Sequence, residues 1–152
     1  MNDTLLTTKD KSRDYRQIYY DGFIIIKPHF LEHYDEIAKE LRMRDFTIIE
    51  AERKRLTLDE AKELYVMHKN KDFFDELIHY MSSDDSIGMA VLSPFSDRDT
   101  AIEAVNDIKD KYRKRYSTDS IHNVIHSSDS YDNVLREAAI YFHDLPLFSK
   151  NQ

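Results

Sequence analysis

Ile121-His122-Asn123-Val124-Ile125-His126-Ser127-Ser128-Asp129-Ser130 is the stretch on which the reading of this chain turns. A short apolar run ends in a histidine. Two serines and an aspartate follow, and Tyr131 to Phe142 reads as a helix. The junction is a strand end or turn that presents one imidazole, with Ser128, Asp129 or Ser130 available to cap the helix. Helix-terminal N–H groups exposed at such a junction suit anions and phosphates. A histidine there is a candidate nucleophile or general base, because its unperturbed pKa lies near neutrality. On these residues alone, the plainer reading is a surface histidine beside an ordinary N-cap.

Working outward from that stretch, the chain alternates strands and helices. Gly22-Phe23-Ile24-Ile25-Ile26 is a β-branched run closed by Lys27-Pro28, as expected of a buried strand. Leu31, Tyr34, Ile37, Ala38 and Leu41 recur at helical spacing. Phe46 to Ile49 is a second strand that can run on to Arg53. Thr57 and Glu60 form a capping box ahead of a short helix reaching about His68. A second helix begins near Asp72 and carries Phe73, Phe74, Leu77, Ile78 and Met81 on one side. Ser86 to Leu92 is a third strand. Asp97 to Tyr112 is a helix with Ala101, Ile102, Val105, Ile108 and Tyr112 on one face, ended by the basic segment Lys109 to Arg115. This order predicts an α/β fold, a ferredoxin-like βαββαβ sandwich with additional helices. Residues 1–18 read as a flexible N-terminal arm, 19–147 as the domain and 148–152 as a loose tail.

Composition narrows the function classes. The chain has 152 residues, 41% of them hydrophobic, so one domain with a sizeable core is expected. Its formal net charge of −7 disfavours an extended nucleic-acid surface, while leaving room for a local basic cluster. With no cysteine, thiolate catalysis and cysteine metal sites are excluded. With only 2 glycines, the Gly-rich phosphate loops are excluded as well. No apolar run is long enough to span a membrane and no leader pattern opens the chain, so a cytoplasmic protein is expected. His122 and His126 stand four apart, a spacing that binds metal on a helix. Here the segment reads as strand or turn and lacks companion ligands, so a structural zinc site is not expected.

Four motifs in register resemble the nucleoside diphosphate kinase family. The first strand of that family ends in Lys-Pro-Asp; here it ends in Ile26-Lys27-Pro28-His29. Its nucleotide-binding helices carry a Tyr, a Lys and Phe-Phe, matched by Tyr65, Lys69 and Phe73-Phe74. Its Asn-x-x-His-Gly-Ser-Asp signature is matched by Asn123-Val124-Ile125-His126-Ser127-Ser128-Asp129. A Glu follows in the last helix, here Glu137. The resemblance spans residues 20 to 143.

The resemblance implies a role for each matching residue. His126 would carry the phosphoryl group in a ping-pong transfer from a nucleoside triphosphate to a nucleoside diphosphate. Glu137 would orient the imidazole and Ser128 would hold the local geometry. Lys27, Tyr65 and Arg113 would surround the transferring phosphoryl group. Phe73 would stack on the base and Asn123 would bond the sugar. Mg²⁺ would arrive bridging the nucleotide phosphates. The implied partners are nucleoside di- and triphosphates and a second copy of the chain, as a homodimer.

Several positions depart from the family pattern. His29 replaces the aspartate after Lys-Pro, and Ser127 replaces the glycine after the histidine, adding a side chain where the family keeps space. The stretch before Asn123 is shorter than in typical members. That shortening resembles a divergent branch with Tyr-Gly-Thr-Asp, here Tyr116-Ser117-Thr118-Asp119. A second phosphate-binding arginine falls on or near Asn106, and Lys109, Lys111 or Arg115 is left to supply its charge. These departures support an alternative reading: a nucleotide-binding regulatory module of the same fold with weak or no transferase activity.

Overall fold

The computed structural model describes residues 18–142 and 147–149. Its core is a four-stranded sheet built from β2 (Gly22–Ile26), β3 (Thr47–Lys54), β4 (Ser86–Leu92) and β5 (Ile125–Ser127). The spatial order is β3-β4-β2-β5 and every neighbouring pair is antiparallel. With α1 (Tyr34–Met43) linking β2 to β3 and α4 (Arg98–Tyr116) linking β4 to β5, this is the expected ferredoxin-like arrangement. The additional helices are α2 (Leu58–Leu64) and α3 (Phe74–Met81), between β3 and β4, and α5 (Tyr131–Tyr141), after β5.

Strand alternation divides the core into two layers. Ile24, Ile26, Met89 and Val91 face α1 and α4, meeting Ile37, Leu41, Val105, Ile108 and Tyr112. Phe23, Ile25 and Ala90 face α2, α3 and α5, meeting Leu64, Ile78, Val134 and Ala138. Both layers are apolar because β2 and β4 are covered on both faces, which is why β2 reads as an unbroken apolar run. Gly88 lies under Tyr141, where a Cβ would come within 2.6 Å of the tyrosine ring.

The helix starts follow their side chains. Thr57 and Glu60 close the capping box on α2. Asp97 caps α4 through Thr100 N, and Ser130, of the three candidates, caps α5 through Asn133 N. Two features differ from expectation. α4 runs on to Tyr116, because its last turns are gripped by α1: Lys111 pairs with Glu40 at 2.7 Å, Arg115 with Glu36 at 2.6 Å, and the Tyr116 hydroxyl bonds Glu36. Ile18, read as part of the arm, and Phe148 and Ser149, read as tail, instead pair as strands. β1 (Ile18–Tyr20) runs parallel to β6 (Leu147–Ser149) in a separate two-stranded sheet. The remaining arm and tail residues lie outside the described ones. No helix among the described residues is long and apolar enough to cross a membrane.

Candidate active site

His126 lies on β5, an edge strand, opposite Ile25 of β2. Its backbone entry is unusual. Val124 has φ 76°, and Ile125 N donates to Asn123 O at 2.8 Å, which makes Val124 the centre of a positive-φ γ-turn. A buried β-branched residue holds that conformation only where its surroundings over-determine it. Here Lys27 N, at the end of β2, donates to Val124 O at 2.8 Å and locks the turn against the neighbouring strand.

The imidazole is fixed from one side. Its Nε2 lies 2.8 Å from Glu137 Oε1, and the same oxygen accepts Ser128 Oγ at 2.5 Å. Glu137, on α5, is 1% exposed, and its other oxygen accepts Arg136 Nη2 at 3.2 Å. A carboxylate facing Nε2 holds the proton on that nitrogen and leaves Nδ1 on the opposite side of the ring with its lone pair. Burial pushes the His126 pKa down, the Glu137 carboxylate opposes that, and Lys27 and Arg113 push it further down. The imidazole is therefore neutral at pH 7, the form a nucleophile needs.

The cations enter from two elements. Lys27 is 3% exposed, and its Nζ donates to Asn123 Oδ1 at 2.6 Å and to Ile121 O at 3.3 Å. Burial, then the like charges of Arg113 and Lys109, bring its pKa down to about 7. Arg113, on α4, reaches round the sheet edge and donates through Nε to Ile125 O at 2.9 Å. Lys109 stands one turn earlier on the same helix, half-buried, and burial and Arg113 lower its pKa. The α1 ion pairs of Lys111 and Arg115 account for those two cations, which leaves Lys109 as the second α4 cation grouped with Arg113 and Lys27.

A row of rings borders the site. Tyr65 meets His126 edge-on with centroids 5.3 Å apart, stacks near His68 at 6.3 Å, and His68 lies 5.4 Å from Phe73. The Tyr65 hydroxyl and His68 Nδ1 are buried without a hydrogen-bond partner among the described residues. Phe73, expected on the core side of its helix, instead precedes α3 and is 40% exposed. His68 carried no assigned role in the sequence; its position three residues after Tyr65 was the available signal.

The loop before β5 is built tightly for its length. Asp119 Oδ1 accepts Ile121 N at 2.8 Å and His122 N at 2.7 Å, and its carboxylate pairs with His122 Nδ1. The His122 ring packs on Tyr80, whose hydroxyl donates to Pro28 O. This loop delivers Ile121 O and Asn123 to Lys27. The side chain that Ser127 adds, where the family keeps space, does not lie on the His126 side of the strand. Adjacent strand residues point to opposite faces, so the Ser127 side chain turns toward α4, and its Oγ donates to Asn106 Oδ1 at 2.8 Å. Two departures from the family pattern thus satisfy each other.

Lys27, Tyr65, Arg113, Asn123, His126, Ser128 and Glu137 are brought together, and Phe73 stands at the rim. A nucleoside diphosphate kinase family model matches residues 21–147. A nucleoside diphosphate kinase of Fervidobacterium nodosum is 30% identical, covering 79% of this chain and 86% of its own. One from Ignicoccus hospitalis is 31% identical, covering 80% and 88%. The crystal structure of the Aquifex aeolicus nucleoside diphosphate kinase superposes with a TM-score of 0.70 at 26% identity, covering 82% of this chain and 96% of its own.

Proposed function

Because the chain belongs to the nucleoside diphosphate kinase family, we propose that it moves the γ-phosphoryl group of a nucleoside triphosphate to a nucleoside diphosphate through phospho-His126. One observation carries this reading: the buried Glu137 carboxylate holds Nε2 of His126 and so leaves Nδ1 with its lone pair, in a group whose charge is set by Lys27 and Arg113 as well. The Nδ1 lone pair attacks the γ-phosphorus, the bond to the β–γ bridging oxygen breaks, and that oxygen leaves on the diphosphate. A β-phosphate oxygen of the second diphosphate then attacks the phosphohistidine, the P–N bond breaks, and neutral His126 returns. The Nε2 proton stays with the ring, and Glu137 stabilises the charge that develops there.

The other groups bind and position. Lys27, Arg113 and Lys109 offset the charge on the phosphate oxygens. The unpartnered Tyr65 hydroxyl supplies a donor at the same place. Phe73 offers its exposed face to the base, and Asn123 faces the sugar. The donor set is cationic and suits phosphate oxygens, not a divalent cation, so Mg²⁺ would come with the nucleotide as part of the substrate and would supply further charge neutralisation. The shortened loop goes with a homodimer as the assembled unit, and the cysteine-free composition goes with a cytoplasmic setting.

Labelling tests the proposal. Incubation with γ-labelled ATP and Mg²⁺ is expected to give an acid-labile, alkali-stable label, chased off by added diphosphates and lost in His126→Ala. A folded protein that binds ADP and takes no label would instead establish the regulatory-module alternative.

A further inference from the structure

Among the described residues, Arg136 is the one charged group that touches the Glu137 oxygen turned away from His126. Its Nη2 is 3.2 Å from Glu137 Oε2, the oxygen that His126 does not use. The rest of the guanidinium is anchored elsewhere. Nη1 donates to Glu63 O at 2.6 Å, Nη2 reaches Leu64 O at 3.4 Å, and Asn133 Oδ1 lies 3.3 Å from both Nε and Nη2. Glu63 and Leu64 end α2, directly before Tyr65. One side chain therefore joins the carboxylate behind His126 to the segment that bears the ring row.

We propose that Arg136 is a positioning residue that keeps His126 neutral by drawing on the far oxygen of Glu137, and that it holds α2 in register with that pair. The proposal rests on the phosphohistidine reading for its use in catalysis, but its physical content concerns the free protein. A carboxylate that is 1% exposed, with no cation behind it, would concentrate its charge on the imidazole and favour the doubly protonated ring. An imidazolium has no lone pair on Nδ1. Arg136 shares the carboxylate charge and also places a like charge near the ring, so both effects favour the neutral form. The other groups acting on His126 are Lys27 from the end of β2, Arg113 from α4 and the Tyr65 ring from the segment after α2; behind them Lys109 acts on Lys27 and His68 lies beside Tyr65. A substitution at 136 leaves Lys27 and Arg113 on their own elements, whereas Tyr65 and His68 follow the α2 end that Arg136 holds. Arg136→Lys, keeping the charge but not the fork, therefore separates the two effects.

The test is an NMR titration of the His126 ring carbon between its nitrogens, without nucleotide, in wild type, Arg136→Gln and Arg136→Lys. Loss of the signal in His126→Gln assigns it. Arg136→Gln is expected to raise the titration midpoint by about half to one pH unit. Arg136→Lys, which keeps the charge but cannot fork to Glu63 O and Leu64 O, is expected to leave the midpoint near wild type while raising KM for nucleotide. The acidic limb of kcat/KM is expected to move with the titration. An unmoved or lower midpoint in Arg136→Gln, or an equal shift in Arg136→Lys, would overturn the proposal. Arg136→Met is the second neutral variant, and failure of both neutral variants to fold would overturn it too, because Arg136 would then be a tether. Absence of phosphoryl transfer in wild type would count against the kinase reading and leave the titration result standing.

Discussion

Replacing Lys27 with methionine is expected to leave the protein at least as stable at pH 7 while lowering phosphoryl transfer by about 10²–10³-fold. The two effects have one origin. Lys27 is buried beside Arg113 and Lys109, with no carboxylate at ion-pair distance among the described residues, and its pKa falls to about 7. Its contacts are two neutral oxygens, those of Asn123 and Ile121. A buried cation in that position is costly to fold around, and a methionine of similar length removes the cost. Asn123 is half-buried, so its oxygen regains a donor from water. The transfer step loses the group best placed to meet phosphate charge. The linkage has a definite sign. An unfolded lysine keeps its proton to about pH 10, whereas folded Lys27 releases it near 7. The unfolded state then holds more protons between those values, so wild-type stability rises with pH across that window. Denaturant unfolding at pH 7 and pH 9.5 should show this rise in wild type and not in Lys27→Met. Near-wild-type turnover in Lys27→Met would remove Lys27 from the phosphate site.

Gly88→Val carries the largest expected loss of stability, about 3 kcal/mol or more, or roughly 6–12 °C in Tm. A Cβ at this position would stand 2.6 Å from Cγ and Cδ2 of Tyr141 and 3.1 Å from Phe23 Cζ. The ring has nowhere to go. Tyr141 is fully buried, its hydroxyl meets Ser86 Oγ at 2.5 Å, and Phe23 packs against it with centroids 5.6 Å apart. Phe23 and Gly88 lie on the strands at the centre of the sheet, so the displacement would spread along β2 and β4. Thermal denaturation reads the effect, and a Tm within about 2 °C of wild type would show that the core yields more easily than its packing implies. Truncating the ring in a Gly88→Ala/Tyr141→Leu pair should recover part of what Gly88→Ala alone loses, because the clash is with that ring.

Most of the fold was legible because its signals are local. The run Gly22 to Ile26 is β-branched and stopped by Lys-Pro, so both ends of β2 could be read. Thr57, Asp97 and Ser130 announce their helices by chemistry confined to one turn. The features that were missed depend on distant partners. β1 and β6 are three-residue strands that exist through each other. The last turn of α4 depends on Glu36 and Glu40, more than seventy residues away. Within the site, the residues carried by the motifs came together, but the side chains added by departures did not go where a linear reading put them. Strand alternation already required Ser127 to face away from His126, so that outcome was available from period alone. Lys109 was available as the i−4 partner of Arg113. Arg136 was not, since nothing in a basic residue beside a candidate glutamate says that its guanidinium reaches back to α2.

The seam between α1 and α4 makes acid an antagonist of the site before it threatens the core. Hydrogen bonds from Tyr116 hold the Glu36 carboxyl below its ordinary range, and those from Lys111 do the same for Glu40. Both pKa values are depressed by folding, so what these groups contribute is present above the usual carboxylate pKa and fades as pH falls through the lowered values. Once both are protonated, the far end of α4 loses its grip on α1. Lys109 and Arg113 stand beside Ile108 and Tyr112, which stay buried like Ala101, Ile102 and Val105, so the helix body keeps its place and only its last turn is freed. Acid should therefore fray the turn just beyond Arg113 first, loosening the support of the phosphate grip while the core that holds Ile108 and Tyr112 stays folded.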